Sequence, residues 1–185
     1  MTLIGIIGGA GAEGSHFAEV FKQSGLEVAV SDIDTEKVRK LVVENDYQLM
    51  SSEELAESSD LVVFSLPIGA TESEIKRLVP LVKEDRAVTD LTSVKTKAVN
   101  AMLEYANPEV EVFSIHAMYR PTVSPWNQNV IFIPGRPNQG GKWFNVVKDI
   151  MKKNKANVSI LQSAQQHDEL ATALQVLPHT IAMHF

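Results

Sequence analysis

The stretch Leu3-Ile4-Gly5-Ile6-Ile7-Gly8-Gly9-Ala10-Gly11-Ala12-Glu13-Gly14 decides the fold of this chain. A short apolar run breaks into a glycine-rich turn, and the turn opens a segment of helical period over Gly14–Ser24. Its last six residues fit G-x-G-x-x-G with Gly9, Gly11 and Gly14 as the fixed positions. Glycines at these points allow a tight turn, let the backbone approach a pyrophosphate, and leave the first amides of the helix pointing at its charge. A glycine-rich turn that binds nothing has the same composition, so the next strand carries weight. Reading outward, Ser24-Gly25 ends the helix, Leu26–Ser31 forms a second apolar run, and Asp32 closes it 18 residues after Gly14. An acidic side chain there accepts hydrogen bonds from an adenosine ribose and repels a 2′-phosphate. The expected cofactor is NAD rather than NADP, with Asp34 and the absence of a neighbouring arginine in the sequence on the same side. Gly9, Gly11, Ala12, Glu13, Gly14 and Asp32 are the expected cofactor contacts.

The same alternation continues. Apolar runs at Leu61–Leu66, Ala87–Asp90, Val110–Ile115, Val130–Ile133 and Val158–Leu161 read as strands. Thr35–Glu44, Ser52–Glu57, Thr71–Val82, Lys95–Tyr105 and Lys142–Asn154 read as helices, and Pro134–Gly141 as a polar loop. Repeated βαβ units with continuously apolar strands predict an α/β, Rossmann-type doubly wound, mostly parallel sheet covered by helices on both faces. This domain is expected over residues 1–162. From 163 to 185 a helix-period run reaches the last residue with no glycine stop, and Leu170, Leu174, Leu177, Ile181 and Phe185 fall on one face. It is expected to be the start of a helical dimerisation domain, pairing two copies of the chain, with a kink at Pro178.

Composition narrows the function classes. The 185 residues are 44% hydrophobic and 22% charged, with a net charge of −6 and no cysteine. That balance disfavours nucleic acid, which needs clustered Lys and Arg, and excludes disulfide and thiolate chemistry. No apolar run approaches the ~20 residues of a membrane span. With no signal-like start, a cytoplasmic protein acting on a small molecule is the expectation.

Three tracts carry candidate chemistry. Ser65-Leu66-Pro67-Ile68 and Asp90-Leu91-Thr92-Ser93-Val94-Lys95 each follow a strand, where open α/β sheets bind ligands. Leu66 and Pro67 are expected beside the cofactor. Ser93 has two readings, a helix N-cap or a hydroxyl facing substrate. Lys95 reads more simply as a solvated lysine in a first helical turn than as a catalytic amine. In Ser114-Ile115-His116-Ala117-Met118-Tyr119-Arg120-Pro121, His116 lies just past a strand, and an unperturbed pKa of ~6.5 suits an imidazole to polarising a hydroxyl beside a nicotinamide. His16 and His184 lack partners at ligand spacing, so no metal is expected. Trp126 and Trp143 read as packing residues.

Taken together, GGAGAEG, SLPI, LTSVK, SIHAMYRP and HDELATALQVLPH resemble the prephenate dehydrogenase family over almost the whole chain. The resemblance implies NAD-dependent oxidative decarboxylation of prephenate to 4-hydroxyphenylpyruvate in tyrosine biosynthesis, or action on arogenate or a related partner. A non-catalytic nucleotide-binding paralogue is the alternative of another class. It assigns the ribose contact to Asp32, the substrate hydroxyl to His116 with help from Ser93, and a substrate contact to His179, and it makes His167 and Asp168 supporting residues. The chain departs from the family pattern at Ala117, Arg120 and Val176, where proline, glycine and histidine are usual. The family's carboxylate-gripping arginine belongs to a helical region beyond this sequence.

Overall fold

The structure, a computed structural model, describes residues 2–173. Its elements are β1 (Leu3–Ile7), α1 (Ala12–Gln23), β2 (Glu27–Ser31), α2 (Thr35–Asn45), β3 (Gln48–Leu49), α3 (Ser52–Ser58), β4 (Leu61–Phe64), α4 (Ile68–Leu78), β5 (Ala87–Asp90), α5 (Thr96–Tyr105), β6 (Glu111–Ala117), β7 (Asn129–Arg136), α6 (Lys142–Lys153), β8 (Asn157–Ile160) and α7 (Ala164–Ala171). The strands form one sheet in the order β3-β2-β1-β4-β5-β6-β7-β8. Every pairing is parallel except β6 with β7.

Doubly wound topology explains the apolar strands. Ile4 and Ile6 of β1 pack with Phe17 and Phe21 of α1, while Ile7 packs on the opposite face with Leu55 of α3 and Ile75 of α4. Burying each large side chain in this way contributes about 1.5–3 kcal/mol relative to leaving it in water. Both faces of the central strands are filled, so most of their positions are apolar. Among the described residues no helix is long and apolar enough to cross a membrane.

Two local expectations are corrected, the polar loop at Pro134–Gly141 and the packing role of Trp126. The antiparallel β7 follows from the segment between residues 117 and 129, which holds no helix to carry a parallel crossover. The strand then runs through Pro134-Gly135-Arg136, part of the expected polar loop. Gly135 permits this because a Cβ there would stand 2.9 Å from the Val112 carbonyl oxygen, and the Arg136 guanidinium donates to the carbonyls of Ala106, Asn107 and Val110. Trp126 is not a packing residue: it is 63% exposed in the β6–β7 loop, whereas Trp143 is buried in the core. The two-residue β3 was not anticipated; it only edges the sheet.

Candidate active site

Sheet order reverses between β1 and β4, and the crevice at such a switch point is where doubly wound folds bind ligands. A cleft of about 590 Å³ lies there, walled by Gly8, Ala10 and Gly11, by Ser31-Asp32-Ile33-Asp34, and by Ser65-Leu66-Pro67 with the first face of α4. The glycines divide the work. Gly8 has φ +83°, which favours glycine, and a Cβ on it would meet the Ser65 carbonyl oxygen at 2.1 Å. Gly9 lets the turn pass Val30, and Gly14 lets α1 pack on Gly8. Gly11, the N-cap of α1 with no side chain to cap it, faces open space apart from the Gly8 carbonyl oxygen. Its helix end therefore retains free amides for an anion. Asp32 is half-buried, and its two carboxylate oxygens accept from the amides of Ala10 (2.9 Å) and Asp34 (3.0 Å), which fixes it across the cleft from the glycine turn.

The second constellation stands at the ends of β5 and β6. His116, the penultimate residue of β6, is buried, with its Nδ1 2.7 Å from Nε2 of His167 on α7. His167 Nδ1 lies 2.9 Å from the Asp168 carboxylate. That carboxylate also accepts from the amides of Lys95 (2.8 Å) and Thr96 (2.9 Å) and from the Thr96 hydroxyl (2.6 Å). Asp168 thus caps α5 from a different helix. The chain of bonds assigns the tautomers. An ionised Asp168 can only accept, so a neutral His167 donates from Nδ1 and its Nε2 is an acceptor. His116 must then donate from Nδ1, which leaves the lone pair on its own Nε2 with no partner among the described residues.

Beneath this chain lies Lys95, which is fully buried rather than solvated. Its ammonium donates to the Asp90 carboxylate (3.0 Å) and to the Ile115 carbonyl (2.6 Å), the residue before His116. Asp90 in turn accepts from the hydroxyls of Thr92 and Ser114. Burial pushes the Lys95 ammonium down from its ordinary range, and Asp90 opposes the shift. Burial, then the positive charge of Lys95 and the presence of His167, lowers the His116 imidazole to about 4, so at neutral pH it is uncharged. For Asp168 burial alone would raise the carboxyl, but the Thr96 hydroxyl, the two amides and His167 outweigh it and hold it at about 2. Glu13 of the fingerprint is raised by burial and lowered by Lys95. Tyr119, past β6, meets His16 of α1 at 3.0 Å, and burial raises its phenol. The nucleotide helix and the histidine tract therefore touch.

Of the predicted residues, the structure brings Gly11, Asp32, Leu66 and Pro67 to one cleft, with Gly9, Ala12, Glu13 and Gly14 in the turn and helix start beside it. Ser93 is exposed and is not the N-cap of α5; that position is Lys95, and the capping acceptor is Asp168. Its hydroxyl bonds to no described residue. His179 and the apolar positions from Leu174 onward lie outside the described residues. Direct contact of His167 with His116 was not foreseen, since 51 residues separate them. Nor was the approach of Lys37 and Arg77 to the Asp32 cleft. Among the described residues no group of three or more His, Asp or Glu is placed to hold a metal.

The model of the prephenate dehydrogenase nucleotide-binding domain matches residues 17–160. The chain belongs to this family. A probable arogenate/prephenate dehydrogenase of Methanocaldococcus jannaschii is 34% identical over 178 residues, 95% of this chain and 40% of the relative. A probable NADP(+) prephenate dehydrogenase of Schizosaccharomyces pombe is 27% identical over 95% of the chain and 41% of its own length. The chain thus spans about two fifths of these curated prephenate dehydrogenases. The solved prephenate dehydrogenase of Aquifex aeolicus, bound to hydroxyphenyl propionate and NAD+, superposes with a TM-score of 0.80 at 23% identity, over all of this chain and 68% of that one. That likeness shows the shared fold.

Proposed function

We propose that this chain is the nucleotide-binding part of an NAD-dependent dehydrogenase that oxidises and decarboxylates prephenate to 4-hydroxyphenylpyruvate. The observation that carries this reading is the Asp168–His167–His116 chain, which leaves an unprotonated Nε2 on His116 at the end of β6. The residues of the β1–β4 cleft fit a dinucleotide: Gly11 leaves space and helix amides for the pyrophosphate, and Asp32 offers carboxylate lone pairs to the ribose. When bound, NAD supplies the hydride acceptor. His116 Nε2 receives the proton of the ring hydroxyl, and the ionised Asp168 stabilises the resulting charge through His167. The proton returns to the ring oxygen once loss of carbon dioxide has aromatised the ring. Ser93, exposed in the loop between β5 and α5, donates or accepts at the same hydroxyl.

We propose further that α7 begins a second domain that pairs subunits, and that His179, outside the described residues, contacts the substrate. The test is turnover of the full-length protein, followed as nicotinamide reduction with prephenate and with arogenate. Faster reaction on arogenate would move the substrate assignment. Nucleotide binding without turnover of either would leave a binding paralogue instead.

A further inference from the structure

The outer end of the Asp32 cleft holds an arginine that the family motifs do not include. Arg77 lies on α4 one face-repeat beyond Ala70 and Glu74, and all three line the cleft. Opposite them is Ile33, an apolar side chain fully exposed directly after Asp32. The Arg77 guanidinium is held along its edges. Its Nε (3.3 Å) and Nη2 (2.6 Å) donate to the two carboxylate oxygens of Glu74, and its Nη1 donates to Glu53 of α3. The side chain remains 44% exposed. A guanidinium held by two carboxylates from two helices is restrained in orientation; three of its five N–H groups are engaged, and its planar face stays open to a ligand.

We infer that Arg77 is a stacking platform for the adenine of the cofactor, positioned by Glu53 and Glu74, with Ile33 on the other side of the ring. The inference rests on the nucleotide reading of this cleft and adds the residue that grips its adenine end. The surrounding charge fits a cofactor without a 2′-phosphate. Asp32, Asp34 and Glu74 against Lys37 and Arg77 make three negative groups to two positive.

The experiment is calorimetric titration of the full-length protein with NAD, NADP, AMP and nicotinamide mononucleotide, for the unmodified protein and for Arg77→Ala and Arg77→Lys. Stacking on a half-exposed cation predicts about three- to tenfold weaker binding of AMP and NAD by both variants, because lysine keeps the charge and loses the plane. Nicotinamide mononucleotide, which has no adenine, should bind unchanged. Equal AMP affinity in Arg77→Lys overturns the platform, and a loss confined to NADP makes Arg77 a phosphate ligand instead. Should the unmodified protein bind none of the four, the nucleotide reading itself falls, a result distinct from either variant's failure. Thermal melts of both variants guard against unfolding, and Glu53→Gln with Glu74→Gln, which leaves Arg77 in place and frees it, should reproduce part of the loss.

Discussion

Replacing Asp168 with asparagine tests the histidine chain at its anchor. The carboxylate accepts four hydrogen bonds, at 2.8 Å from the Lys95 amide, 2.9 Å from the Thr96 amide, 2.6 Å from the Thr96 hydroxyl and 2.9 Å from His167. Lys95 and His167 share one oxygen, and the two Thr96 donors share the other. An asparagine keeps one acceptor oxygen and turns an NH2 toward the remaining pair. Whichever way it lies, one backbone amide at the start of α5 loses its acceptor. Losing two bonds to a charged group, at about 1.5–3 kcal/mol each, together with a negative charge at a helix N-terminus, costs about 3–5 kcal/mol. For a domain of this size that lowers the melting temperature by roughly 10 °C.

The chemical consequence is sharper. With its NH2 toward His167, the asparagine requires an acceptor at Nδ1; His167 then donates from Nε2, and His116 must carry its proton on Nε2, where the substrate hydroxyl needs a lone pair. Nitrogen-15 NMR of the histidine side chains at pH 7 reads this directly. The unmodified chain should show His116 protonated on Nδ1, and Asp168→Asn should shift protonation toward Nε2 or release the contact. In the full-length enzyme turnover should fall about 10²- to 10⁴-fold, the range for a positioned acid–base group. An Asp168→Asn protein that melts with the unmodified chain and keeps His116 protonated on Nδ1 would refute the relay.

Three further outcomes follow from named contacts. His116 titrates at about 4 in the folded chain against an ordinary 6.5, so the unfolded chain takes the proton first and stability is lost as pH falls from 6.5 toward 4; at 1.36 kcal/mol per unit the loss is bounded at about 3 kcal/mol, and melts of His116→Asn should lack it. The same variant should retain NAD affinity while turnover falls, and the acid limb of kcat/KM in the unmodified enzyme should lie near pH 4 rather than near neutrality. Asp32→Ser should weaken NAD about tenfold or more and ease entry of NADP, measured by titrating both; an unmodified protein that prefers NADP would sink the assignment. Glu111→Ala should cost about 2–3 kcal/mol by denaturant titration, because its carboxylate accepts from the amides of Gly141, Trp143 and Phe144 and is the cap of α6.

What the sequence shows and what it hides divide along one physical line. Periodicity and glycine spacing are local, so the order of strands and helices, the glycine turn and Asp32 at the end of β2 could be read from neighbouring residues. Lys95 could not. Its position after Ser93 and Val94 suggests a solvated first turn, and only the packing of β5 against β6 shows that Asp90 and the Ile115 carbonyl enclose its ammonium. The local sequence offers Ser93 as the cap of α5, but the acceptor is Asp168, 72 residues beyond Thr96. His116 shows the same division in its chemistry. Its place after a strand marks it as a candidate base, but its tautomer and its lowered pKa depend on α7 and on a buried lysine. The tract SIHAMYRP names the base; the neighbours that make it neutral, oriented and free on one nitrogen come from β5, α5 and α7. Local pattern therefore locates this site, and tertiary contacts give it its proton chemistry.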